Sequence, residues 1–110
     1  MEISIKTVDG ITVVTIVGEI DGRTAPDVHR RVSAALEATS KILFDMSQVQ
    51  YMSSAGLRML LSVYRQVSGK NGRVALAGLY EEIRDTMSVT GFLGHFPTYT
   101  TVDEGLAAIR

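Results

Sequence analysis

The segment Ile11–Val17 constrains the fold more than any other part of the chain. It reads Ile-Thr-Val-Val-Thr-Ile-Val, and every residue in it is β-branched. Such residues favour extended strands, and a strand whose apolar residues run almost without interruption is typical of one buried on both faces. The segment therefore predicts a strand inside a sheet that is covered on both sides.

A hairpin precedes this strand, and alternating strand and helix patterns follow it. Ile3 and Ile5 alternate with polar residues, and Asp9-Gly10 then provides a tight turn between two antiparallel strands. The full predicted order is β-β-α-β-α-β-α-β-α. This order predicts an α/β fold for a single domain spanning residues 1–110, with a mostly parallel sheet of about five strands, an N-terminal β-hairpin and about four helices.

The later elements carry recognisable start and stop signals. Three further strands are predicted at residues 41–45, 73–77 and 96–99. Helices are predicted after the N-cap Thr24, from Ser54 to about Ser68 with Gly69 as the stop, from Glu81 to before Gly91, and after a capping box of Thr101 and Glu104.

Composition excludes several classes of function. The net charge is −1, which gives no electrostatic reason to expect binding to nucleic acid or to an acidic membrane surface. The chain has no cysteine, so disulfides, thiolate zinc sites and cysteine nucleophiles are excluded. His29 and His95 show no metal-ligand spacing. With no apolar run near the ~18 residues of a membrane span and no signal-peptide pattern, we expect a cytoplasmic protein without cofactor or metal.

The best candidate site is a pair of serines at the start of a helix. Functional sites of parallel sheets lie beyond the carboxyl ends of the strands, and the loops at residues 18–23 and 47–54 are both expected there. Ser53 and Ser54 close the second loop. A hydroxyl at a helix N-terminus lies among unpaired backbone N–H groups, where a phosphate is well tolerated. The alternative is that these serines simply cap the helix.

Several segments resemble, in order and spacing, one known family. They are Gly18-Glu19-Ile20-Asp21, Ile42-Leu43-Phe44-Asp45-Met46-Ser47, Tyr51-Met52-Ser53-Ser54-Ala55-Gly56-Leu57, Gly91-Phe92 and Asp103-Glu104-Gly105-Leu106. Together they resemble the STAS-domain family, and within it the stand-alone anti-sigma-factor antagonists of bacteria. The resemblance covers nearly the whole chain and implies a single STAS domain.

This resemblance implies regulation by partner switching. The family's phosphoacceptor serine lies two residues before the glycine, which is Ser54 here; Ser53, in the position that is usually Asp, is the less favoured acceptor, and Ala55 replaces the usual Ser or Thr. The implied partners are an anti-sigma factor that acts as a serine kinase and a metal-dependent serine phosphatase. The implied partner-binding residues are Asp21, Gly22, Met52, Ser53, Ser54, Ala55 and Arg58.

Other interpretations remain open at the level of sequence. An enzyme would use Ser54 as a nucleophile, but the segment lacks a Gly-x-Ser-x-Gly elbow and neither histidine has a motif context, so no catalytic residue is expected. A STAS-type ligand or nucleotide sensor, or a scaffold module of a signalling complex, is the main alternative. Asp21 is equally well explained as a turn residue, Asp45 is expected to cap its loop, and Met52 is expected to be partly exposed.

Overall fold

The computed structural model describes all 110 residues as one five-stranded sheet with helices on both faces. The strands are β1 (Glu2–Val8), β2 (Ile11–Val17), β3 (Lys41–Gln48), β4 (Arg73–Ala77) and β5 (Thr98–Tyr99). The helices are α1 (Ala25–Ala35), α2 (Ser54–Ser68), α3 (Glu81–Val89) and α4 (Val102–Ile109), with a short 3₁₀ turn at Phe92–His95. The spatial order of the strands follows the sequence, from β1 to β5.

The N-terminal hairpin and the parallel sheet are both confirmed. β1 pairs with β2 in the antiparallel sense, whereas each pair from β2 to β5 is parallel. Asp9 and Gly10 both have left-handed backbone angles, with φ of 52° and 79°, as a two-residue hairpin turn requires. Between β1 and β3, the predicted central strand Ile11–Val17 is buried along most of its length.

The two faces of the sheet are covered unequally. A cluster of 22 buried residues fills the face on which α1, α2 and α3 pack. A smaller cluster of 7 residues lies on the other face, where Leu106 and Ile109 of α4 pack against Leu43. Burial on both sides explains the uninterrupted apolar runs Val13-Val14 in β2 and Ile42-Leu43-Phe44 in β3.

Two predicted strand boundaries are wrong. β3 continues beyond Asp45 to Gln48, because Val17 pairs with Gln48 and the Gly18 N–H donates to the Gln48 carbonyl at 3.0 Å. The pairing of β2 with β3 shifts register between Thr15 and Val17, and the additional end of β3 contains the polar residues Ser47 and Gln48. The last strand is only Thr98–Tyr99, rather than residues 96–99.

The helix caps differ in detail from the sequence prediction. Thr24 is the N-cap residue of α1, but its side chain makes no capping hydrogen bond. Thr101 caps α4 as predicted by accepting from the Glu104 N–H at 3.1 Å, whereas the Glu104 carboxylate accepts from the Thr100 N–H instead of returning to Thr101. None of the helices combines the length and hydrophobicity needed to cross a membrane.

Candidate functional site

The two loops at the carboxyl ends of β2 and β3 are joined by backbone hydrogen bonds. The Ile20 N–H donates to the Tyr51 carbonyl at 3.0 Å, and the Ser53 N–H donates to the Ile20 carbonyl at 2.9 Å. The side chain of Ile20 is fully buried below this contact. Both loops therefore lie at the predicted edge of the sheet, and their hydrogen bonds fix the position of the first turn of α2.

The prediction that Met52 is partly exposed is wrong. Met52 is 8% exposed and belongs to the large core cluster. It lies directly under Gly56, where a Cβ atom would overlap the Met52 side chain and approach Ile20 Cγ2. Because position 56 is a glycine, Met52 can pack closely beneath α2 and support the site from inside.

Ser54 and Ser53 occupy different environments. Ser54 is the first residue of α2 and is exposed. Ser53 is the N-cap residue, with φ −81° and ψ 176°, yet its hydroxyl oxygen is buried and has no hydrogen-bond partner. Of the two serines, Ser54 is therefore the one that is open to solvent.

We predict that Ser53→Ala leaves the free energy of unfolding unchanged or raises it. An N-cap serine usually contributes about 1 kcal/mol through its side-chain hydrogen bond, and Ser53 makes none. A buried hydroxyl without a partner instead costs about 1–3 kcal/mol. Urea unfolding measures this, with Thr101→Ala as the matched control that should lose about 1 kcal/mol. A loss as large for Ser53→Ala as for the control would show that the hydroxyl does cap the helix.

Asp21 organises the first loop through its carboxylate. Its Oδ1 accepts from the Arg23 N–H at 2.9 Å and from the Thr24 N–H at 3.2 Å, while Thr24 Oγ1 accepts from the Asp21 N–H at 2.9 Å. These bonds are strongest to the ionised form, and the Arg23 N–H is the main cause that lowers the pKa of Asp21 below its ordinary value of 3.8. Asp21 is thus a turn residue, with part of its carboxylate still open to solvent.

The lowered pKa of Asp21 predicts a specific pH dependence. Stability contributed by a depressed carboxylate pKa is fully present above the ordinary value of 3.8 and disappears as the pH falls through the lower folded-state pKa. We therefore expect Asp21→Asn to be less stable than wild type at pH 7, with the difference shrinking below about pH 4. Urea unfolding from pH 7 to pH 3 measures it. A difference that is constant over this range would contradict the role assigned to the charge.

A groove between α1 and α2 opens beside Ser54. Its volume is about 290 Å³ and its walls are Gly22, Ala25, Pro26, His29, Ala55, Arg58, Met59 and Ser62. Gly22, Ala55 and Arg58 were expected at the site, and Arg58 is exposed one turn after Ser54. His29 and Ser62 were not expected there. No local motif marks them, because their proximity depends on how the two helices pack.

His29 and Ser62 connect the two helices across this groove. His29 Nε2 and Ser62 Oγ lie 3.1 Å apart, and no carboxylate hydrogen-bonds the histidine ring. A serine nucleophile requires a base that is held by a third group. The pair therefore links α1 to α2. Asp45 also makes local contacts, but its carboxylate accepts from the Ser47 hydroxyl at 2.7 Å within β3, rather than capping a loop after the strand as predicted.

Comparison with known protein families identifies the family of this chain. The family model of the STAS domain matches residues 2–105. The chain belongs to the STAS domain family. The predicted fold and family are thereby confirmed.

Several known proteins are similar to this chain over nearly its whole length. BtrV of Bordetella bronchiseptica is 25% identical over 111 residues, covering 100% of this chain and 96% of BtrV. The crystal structure of an anti-sigma factor antagonist from Mycobacterium paratuberculosis has a TM-score of 0.90 at 30% identity and covers 99% of this chain and 93% of that one. The Bacillus cell fate determinant SpoIIAA in its phosphorylated form has a TM-score of 0.81 at 20% identity and covers 99% and 100% of the two chains.

Proposed function

We propose that this protein is an anti-sigma factor antagonist that works by partner switching. Unphosphorylated, it binds an anti-sigma factor through the surface around Ser54 and Asp21; phosphorylation of Ser54 releases it. The observation that carries the proposal is the exposed Ser54 at the start of α2, beside the loop ordered by Asp21, in a STAS domain. The name of the Mycobacterium paratuberculosis protein supports the same assignment.

The N-terminus of α2 is suited to receive a phosphate. The backbone N–H groups of Ser54, Ala55 and Gly56 donate no backbone hydrogen bond, and the first turn contains no acidic residue. Arg58 follows one turn later and forms no ion pair. A phosphate adds a charge of about −1.5 to −2 at pH 7 and three strong acceptor oxygens, which these donors and the helix dipole would stabilise.

This arrangement lets the switch act without a change of fold. The exposed side chain of Ser54 can be modified while the core below it keeps its packing, because Met52 and Ile20 are buried on the other side of the loop. The phosphorylated form of SpoIIAA has the fold described above, which supports a switch of this kind. The partner would respond to the charge on the surface rather than to a rearranged domain.

The remaining parts of the pathway follow from the same proposal. The anti-sigma factor would be the serine kinase, with ATP as phosphate donor, and a metal-dependent serine phosphatase would restore the unmodified hydroxyl. In both reactions this chain would be the substrate, so we assign it no catalytic residue. Its place of action would be the cytoplasm.

Mapping of the phosphorylated residue tests this proposal. Wild type, Ser54→Ala and Ser53→Ala are incubated with candidate anti-sigma factor kinases and ATP, and phosphopeptides are located by mass spectrometry. We expect one phosphate per chain in wild type and in Ser53→Ala, and none in Ser54→Ala. Stoichiometric phosphate at another residue that persists in Ser54→Ala would overturn the assignment of the site.

A further inference from the structure

Two exposed tyrosines flank a pair of neighbouring cavities at the same edge of the sheet as Ser54. Tyr51 is 51% exposed and Tyr80 is 40% exposed. Tyr51 lines a cavity of about 210 Å³ and Tyr80 lines one of about 380 Å³, and Gln50 contributes to both. Isolated exposed apolar residues are common, but large aromatic residues that border adjoining cavities are typical of protein interaction surfaces.

Each of these cavities contains one carboxylate that has no ion-pair partner. Glu19 lines the cavity beside Tyr80, and Glu82 lines the cavity beside Tyr51. No lysine or arginine lines either cavity, and neither carboxylate forms an ion pair or a side-chain hydrogen bond. An occupant with a positive charge would therefore be favoured by both cavities.

The dimensions of the cavity beside Tyr51 favour a side chain over a small-molecule ligand. Pockets for small molecules are usually about 300–1,000 Å³ in volume, and the cavity beside Tyr51 is smaller than this range. Its floor is apolar, formed by Met52, Leu57 and Ile83, with Glu82 at its edge. An arginine matches such a cavity because its apolar stem can pack on the floor while its guanidinium stacks on tyrosine and pairs with a carboxylate.

We propose that this surface, formed by Glu19, Gln50, Tyr51, Tyr80 and Glu82, binds an arginine-bearing segment of a partner protein. It lies on the side of the β3–α2 loop that faces α3, whereas the groove containing Arg58 lies on the side that faces α1. Binding of arginine requires no phosphate on Ser54, so this surface is independent of the proposed switch.

A peptide titration tests the surface without any natural partner. The ¹⁵N-labelled full chain is titrated at low ionic strength with acetyl-Gly-Arg-Gly-Arg-Gly-amide. The control is the same peptide with citrulline, which keeps the shape of arginine but lacks its charge. We expect saturable shifts of the amides of Gln50, Tyr51 and Glu82 with an affinity of about 1 mM, and at least about 3-fold weaker binding of the citrulline peptide.

Matched variants separate the proposed contacts from general charge effects. Glu82→Gln should weaken binding of the arginine peptide by about 3- to 10-fold. Glu81→Gln should leave the affinity unchanged, because Glu81 is an adjacent exposed carboxylate that lines neither cavity. Tyr51→Phe should retain binding of the arginine peptide and Tyr51→Ala should lose it, because Tyr51 is the tyrosine that lines the cavity with Glu82. Equal binding of the citrulline peptide, equal effects of the two glutamate variants, shifts centred on Asp103 and Glu104, or no saturable shift would each overturn the proposal.

Discussion

Ser54→Asp should lower the affinity of the protein for the proposed anti-sigma factor partner by about 30-fold to several thousand-fold. A group that is left unpaired and charged in a buried interface costs about 2–5 kcal/mol, and every 1.4 kcal/mol changes an equilibrium constant tenfold. Ser54 is exposed, so the substitution places the carboxylate in the interface and leaves the core unchanged. Isothermal titration calorimetry with wild type and variant measures the difference directly.

Two controls distinguish the position of the charge from the charge itself. Ser54→Ala removes the hydroxyl without adding charge and should bind within a few-fold of wild type. Ser68→Asp adds the same charge to an exposed serine at the opposite end of α2 and should also bind normally. Equal binding of Ser54→Asp and Ser68→Asp would contradict the proposed release mechanism.

Ile20→Ala should cause the largest loss of stability among the substitutions near the site. Ile20 is fully buried, and truncation of a buried isoleucine to alanine costs about 2–5 kcal/mol because it removes apolar contacts and leaves a cavity. The conservative change Ile20→Val should cost only about 0.5–1.5 kcal/mol. Urea unfolding gives both values.

The same substitution should also weaken partner binding, because the Ile20 side chain supports the first turn of α2. Alanine keeps the backbone hydrogen bonds to Tyr51 and Ser53 but removes the side chain that lies under this turn. Ile109→Ala is the matched control, since Ile109 is 2% exposed but belongs to the small cluster on the opposite face of the sheet. Binding is compared under conditions where circular dichroism shows all variants folded. If both variants bind equally well, Ile20 contributes to stability alone.

Local patterns were sufficient to predict most of the fold. The β-branched run of β2, the Asp9-Gly10 turn and the apolar spacing of α2 each depend on nearby residues, and each is confirmed. The end of β3 was missed because Ser47 and Gln48 are polar and exposed, and only pairing with the irregular end of β2 keeps them in the strand. Such pairing is a property of the assembled sheet rather than of the segment.

The sequence predicted where the candidate site lies on the sheet, but not which of its side chains are buried. The alternation of elements placed both loops at one edge of the sheet, and the hydrogen bonds of Ile20 confirm it. The sequence did not predict which side chains are exposed to solvent. Met52 and the Ser53 hydroxyl are buried because the two loops pack against each other. Likewise, His29 and Ser62 are 33 residues apart and meet only because α1 packs on α2.

The most direct measurement compares partner binding before phosphorylation, after it, and after removal of the phosphate. Protein phosphorylated at Ser54 is separated from the unmodified form, and the dissociation constant of the anti-sigma factor is measured for both. We expect binding to weaken by at least about 30-fold on phosphorylation and to recover when a phosphatase removes the phosphate. Equal affinity of the two forms would contradict the proposal that the charge on Ser54 controls docking.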